Sequence, residues 1–294
     1  MNEEFGRMES LIQALRGSEM AYNENFDTAA AVVNNKNTNN GGDGDGDDNN
    51  QLQLDLMYRW MRCKSNMNRP DVSIIWFQRL CQHYSESHRH YHTLMHLEEM
   101  FLYHDLLTQH YYNNHGRQQH ATEPMTELDQ EAIVLATFFH DAVYNVHSVT
   151  NEEDSAVLFQ TYVQELRQQG VMIMEGLEPM VLQLILATKQ HEVSTENSTC
   201  LALFLDLDMS VLGKIPQAYS CYAALIRQEY CHVPHEVYCE KRAMVLENFL
   251  KQPQIYGTQI MLEALEQRAR DNLEQEIQNL RRGIIPNISM EHQP

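Results

Sequence analysis

Positive charge is what this sequence has least of. Its 294 residues carry 21 Lys and Arg against 41 Asp and Glu, a formal net charge of −20 at pH 7. A field of that sign repels nucleic-acid backbones and anionic membranes, so neither duplex nucleic acid nor a membrane is an expected partner. It repels phosphate too, so any phosphate chemistry needs a local cation. Long apolar runs are missing: none approaches the ~18–20 residues that cross a bilayer. The opening MNEEFGRMES has no basic region and no apolar region behind it, so no secretory signal is expected. CxxC pairs are absent as well. Cys63, Cys81, Cys200, Cys221, Cys231 and Cys239 show no disulfide-scaffold spacing and read as reduced thiols of a cytoplasmic or nuclear protein. Strand signals are nearly absent.

What remains is helical. Hydrophobic residues make up 43% of the chain, enough for a sizeable core. Residues 1–51 read as a disordered acidic, Asn- and Gly-rich tail, because the tract from Asn34 to Asn50 cannot bury apolar area. Met8–Leu15 could form a transient helix. Asp43, Asp45 and Asp47 do not make a calcium loop, since Asp48 stands where the turn glycine belongs and Leu54 where the bidentate glutamate belongs. From residue 52 onward the apolar period is that of a helix. Val72, Ile75, Trp76, Leu80 and Tyr84 form one stripe, and Ala156, Phe159, Val163 and Leu166 another, with Asn151 as cap. Arg89–Leu107 and Thr126–Tyr144 are predicted helices. The polar stretch from His110 to Thr126 reads as a loop whose His110, His115 and His120 are solvated. The expected fold is an all-α bundle over 52–257, followed by a long polar C-terminal helix and tail over 258–294.

Polar residues interrupt the apolar helices in a pattern. His92 and His96 are four apart, one turn of a helix. His140 and Asp141 follow Ala136-Thr137-Phe138-Phe139, and Asp206 and Asp208 punctuate a leucine-rich segment. Any one of these is most simply a satisfied buried polar group. As a set they offset each other's desolvation only if they converge, and a divalent metal is the usual meeting point of imidazole nitrogen and carboxylate oxygen. Asp206 and Asp208, two apart on a helix, cannot share a face.

The order His…His-Asp…Asp on a helical chain resembles the HD superfamily of metal-dependent phosphohydrolases. YHTLMH is similar to a segment of the cyclic nucleotide phosphodiesterases of that superfamily, and the Asp208-Met209-Ser210 triplet to the one that carries their last ligand. RHYHTLMHLEEM, FFHDAVY, NEEDSA, LDLDMSVLG and IRQEYCHVP look like a branch of predicted HD phosphohydrolases, over roughly Trp76 to Thr258. The resemblance implies an HD-type helical domain whose His96, His140, Asp141 and Asp208 hold a divalent ion of Mn, Fe, Zn, Co or Mg. It places His92 as proton donor to the leaving oxygen and favours Asp208 over Asp206. The phosphodiesterases' purine-selective glutamine has no counterpart, so cyclic nucleotides are not carried over as substrate. The expected substrate is a small phosphomonoester or phosphodiester.

Further residues have two readings each. Glu152 either favours the start of a helix through its dipole or orients the attacking water. His191 is either a helix-end histidine or a ligand of a second metal or of the substrate. Arg89, Lys189 and Arg227 are candidate phosphate contacts, though Arg227 could pair locally, and Arg242 reads as a surface ion pair. Outside hydrolysis, the chain could be a helical scaffold with a structural metal. A two-iron oxygenase would need further ligands, for which His191, Glu152 and Asp206 are spare.

Overall fold

The computed structural model describes residues 45–114, 125–192 and 198–286. Met8–Leu15, most of the Asn34–Asn50 tract, His115 and His120 lie outside the described residues. Among the described residues there is no strand, and the all-α expectation holds. In chain order the helices are α1 (Asp45–Met61), α2 (Lys64–Met67), α3 (Pro70–Tyr84), α4 (Leu94–Asn114), α5 (Glu127–Phe139), α6 (Asn151–Gln168), α7 (Leu177–Ala187) and α8 (Thr199–Asp208). A 3-10 turn (Met209–Gly213) is followed by α9 (Pro216–Glu229), α10 (His235–Lys251) and α11 (Gln259–Arg281). They group into two units, which divide between Asp208 and Met209. None is long and apolar enough to cross a membrane.

The first unit is built around aromatic rings. Trp60 meets Phe138 edge-on at 5.2 Å between ring centroids, Trp76 meets Tyr162 at 5.4 Å, and Phe139 meets Phe159 at 5.2 Å. Fully burying side chains of this size contributes ~1.5–3 kcal/mol each, and aromatic pairs add to that. Phe138 and Phe139 end α5, so this core fixes the point from which His140 and Asp141 emerge. The Tyr84 hydroxyl donates to Phe138 O at 3.1 Å and satisfies a carbonyl in the helix's last turn. The start of α5 is a capping box: Thr126 Oγ1 accepts from Asp129 N, and the Asp129 carboxylate accepts from Thr126 N.

Several expected boundaries shift. The stripe Leu52, Leu56 and Trp60 is buried, and helix propagation from it starts α1 at Asp45, inside the stretch read as tail. Helix α4 runs on to Asn114, so the supposed loop from His110 begins as helix. On α3, Ile75 is 47% exposed and Phe77 takes its place in the core, because Trp76 and Phe77 together set the buried face. Ala156, Phe159, Val163 and Leu166 are buried as read. Asn151 is not the cap of α6. It is the first helical residue, and its amide closes the preceding loop by accepting from Asn145 N and donating to Asn145 O.

The same unit carries a pH-dependent element. Burial pushes the pKa of His104, on α4, down from 6.5 to about 4, against the opposing pull of Asp105. A histidine held neutral in the fold but free to charge when unfolded stabilises the fold fully above pH 6.5, and that contribution is lost as pH falls towards 4. The expected loss is about 3 kcal/mol over this window. Melting curves of the wild type and His104→Gln from pH 7 to 4 should show a shallower acid slope in the variant; parallel curves would contradict the assignment.

In the second unit, α10 and α11 pack together and the 3-10 turn packs on α11. A Cβ at Gly213 would meet Leu265 Cβ at 2.6 Å, so only glycine permits that approach. Arg242 is half-buried and pairs at 3.0 Å with the buried Glu276, to which Tyr219 also donates; it is not the surface pair expected. Arg227 donates to Tyr230 O at 2.6 Å and Val233 O at 3.1 Å and lies over the Tyr238 ring. Its guanidinium therefore holds the turn after α9, the local pairing that its sequence context allowed. The six cysteines are free thiols.

Candidate metal centre

The centre draws on three helix ends of the first unit. His96 stands in the first turn of α4. His140 caps the C-terminus of α5, and Asp208 is the last residue of α8. His96 Nε2 and His140 Nε2 are 3.3 Å apart. Asp208 Oδ1 lies 3.2 Å from the first and 3.6 Å from the second. Metal–ligand bonds of ~2.0–2.2 Å at tetrahedral or octahedral angles put neighbouring ligand atoms ~3–3.5 Å apart, so these spacings suit a single ion. Both imidazoles are almost fully enclosed, His96 at 2% and His140 at 1% exposure.

The tautomers suit it as well. His140 Nδ1 donates to Thr137 O at 3.0 Å; a carbonyl only accepts, so the lone pair of the neutral ring sits on Nε2. His96 Nδ1 is hydrogen-bonded to the Tyr91 hydroxyl at 3.0 Å, which orients the ring; a hydroxyl can accept as well as donate, so this contact is compatible with a lone pair on Nε2. An outer partner that fixes ring and tautomer is the ordinary accompaniment of a metal-ligating histidine. His96, His140 and Asp208 could therefore hold a metal ion.

The electrostatics are those of a cation site. Burial opposes a charge on His140, but Asp141 and Asp208 outweigh it and hold its pKa well above the ordinary value. Burial likewise opposes ionisation of Asp141 and Asp208, yet His140 beside them keeps both carboxyls below the usual range. Two half-buried carboxylates thus face imidazoles that can take one positive charge as a proton.

Asp141 flanks the trio. Its Oδ2 is 3.1 Å from His140 Nε2 and 4.0 Å from His96 Nε2. His92 Nε2 stands 3.9 Å from the same oxygen, and both side chains are 19% exposed, which makes this a solvent-facing edge. His92 is not on the helix of His96, as the spacing predicted. Residues 89–93 form a tight turn ahead of α4, with Thr93 N donating to Tyr91 O at 2.8 Å, and the Tyr144 ring packs on the His92 ring at 4.3 Å. Asp206 is buried, and it is Asp208 that joins the histidines.

Arg89 explains the turn. Its side chain has no exposure, and its guanidinium donates to Glu86 Oε2 at 3.0 Å, to His92 O at 3.2 Å, to Asp141 O at 2.7 Å and to Ala142 O at 2.9 Å. It lies over the Tyr84 and Tyr144 rings. It ties the turn of His92 to the turn of Asp141. Arg89→Ala should cost ~3–5 kcal/mol in chemical denaturation, the usual result of removing one partner of a buried charged network. Arg89→Lys should recover only part, because one ammonium cannot span Asp141 O and Ala142 O as a planar fork does. A loss under ~1 kcal/mol for the alanine variant would show that the carbonyls find water instead.

Lys189 is also engaged. It donates to Val149 O at 2.8 Å, pairs with Glu153, and has Glu152 at 3.9 Å, so it fastens the end of α7 to the start of α6. His191 does reach the centre, with Nε2 2.7 Å from Asp208 Oδ2. Tyr91, Tyr144 and the Thr137 carbonyl went unread as parts of the site. Tyr91 stands inside YHTLMH, but only the folded turn shows that its hydroxyl meets His96.

No protein-family model, curated protein or solved structure matches this chain.

Proposed function

We propose that the protein is a metal-dependent phosphohydrolase of the HD type, acting on a small phosphomonoester or phosphodiester. The observation that carries this reading is the meeting of His96, His140 and Asp208, with Asp141 and His92 on their solvent-facing edge. A divalent ion bound there supplies Lewis acidity and acidifies water.

The chain's own residues do the rest. His96, His140 and Asp208 hold the ion, and Asp141 is close enough to His140 to act as a fourth ligand. His92, partly exposed and flanked by Tyr144, is placed to give a proton to the leaving oxygen. In a chain of net charge −20, a phosphate needs such a local cation to approach at all. The half-open edge favours catalysis over a structural role, since a structural metal is closed in by protein ligands.

Metal analysis of the purified protein, with hydrolysis assays against nucleotides and phosphoesters in added Mn or Mg, tests the proposal. Expected are about one equivalent of divalent metal and hydrolysis that chelation abolishes and Mn restores. A metal-loaded protein inert on the whole panel, but destabilised by chelation, would mark a scaffold with a structural ion instead.

A further inference from the structure

We infer that His191 is a positioning residue that makes Asp208 a one-oxygen donor and so sets the affinity and coordination number of the ion at the centre; the inference rests on the metal-site reading above. Asp208 is divided between two tasks. Oδ1 faces His96 and His140, while Oδ2 lies 2.7 Å from His191 Nε2. An ionised carboxylate only accepts, so His191 Nε2 is the donor.

The backbone is bent to make this bond. His191 follows α7 with φ at 47°, and among the described residues it is the one non-glycine residue in the left-handed region. A residue with a Cβ is strained there and stays only when its surroundings hold it. The surroundings are visible: His191 N donates to Ala187 O at 3.1 Å, and Lys189, two residues earlier, is fastened to Val149 O and Glu153. The turn is anchored on its N-terminal side, and its product is an imidazole aimed at the back of a ligand. A carboxylate without such a partner can rotate to offer both oxygens, as it does around large, highly coordinated ions such as calcium. With Oδ2 held, Asp208 offers one oxygen, which favours a smaller transition-metal ion.

The test uses cobalt(II), whose visible absorption is stronger at low coordination number, on the full chain. His191→Gly removes the imidazole and relaxes the left-handed backbone at once. It should lower cobalt affinity ~10–100-fold, as losses of outer partners do, and weaken the visible bands, while the metal-free melting temperature holds or rises. His191→Gln restores a donor of similar reach and should recover affinity and spectrum. A glycine variant with wild-type affinity and spectrum overturns the inference. So does a wild type that takes two equivalents where the glycine variant takes one, because His191 is then itself a ligand. If the wild type binds no divalent ion, this inference and the proposed function fall together; wild-type binding with an unaffected variant sinks this inference alone.

Discussion

Asp208→Asn should yield a folded protein that no longer retains a divalent ion and has lost hydrolysis with it. Asp208 supplies the anionic oxygen between two enclosed imidazoles, 3.2 Å from one and 3.6 Å from the other. An amide keeps the shape but not the charge, so metal affinity should fall by more than the ~10–100-fold typical of an outer partner. Asp208→Ala should lose the metal as well, and both variants should destabilise the metal-free fold. The pKa of His140 stays high only because Asp141 and Asp208 outweigh its burial. Taking one carboxylate away leaves a buried cation half compensated, a class of change that costs ~3–5 kcal/mol unless the group gives up its proton. Asp206→Asn is the control: it is buried two residues away, outside the trio, and should keep the metal. Calorimetric metal titration and melting curves of the three variants decide the matter. Wild-type affinity in Asp208→Asn, with loss in Asp206→Asn, would reverse the ligand assignment.

Much of this arrangement can be read before folding, and the part that cannot has a common cause. Helices announce themselves by period: Leu52, Leu56 and Trp60, or Ala156 to Leu166, are buried where a 3.6-residue repeat puts them. The ligands announce themselves by breaking that period, since His140 ends a run of Ala and Phe and Asp208 a run of Leu. Charge, by contrast, carries no address. Arg89, Lys189, Arg227 and Arg242 look alike in a sequence, each a spare cation in an acidic chain. In the fold, Arg89 binds carbonyls of residues 141 and 142, Lys189 a carboxylate of α6, Arg227 its own turn and Arg242 a glutamate 34 residues away. Partners that distant follow from packing, which no local pattern records. The position of His92 was lost for the same reason. A four-residue spacing suggested a shared helix, but Arg89 draws residues 89–93 into a turn, and His92 reaches the centre from outside α4.

That position makes His92 the residue that separates an enzyme from a scaffold. His92→Ala should leave fold and metal content intact while lowering turnover ~10²–10⁴-fold, the usual contribution of a general acid. Metal should survive because His96, His140 and Asp208 form the trio without it, and His92 is 3.9 Å from Asp141 rather than packed among the ligands. The defect should shrink for a substrate whose leaving group is already a stable anion, since such a group departs without a proton. Asp141→Ala should behave otherwise. It removes an oxygen 3.1 Å from His140, so metal and activity should fall together and the choice of leaving group should not matter. If the ion is structural, His92→Ala is nearly silent and Asp141→Ala chiefly lowers the melting temperature. Equal loss of metal from both variants would mean that His92 binds the ion itself, and the proton-donor role would have to pass to another residue of the same edge.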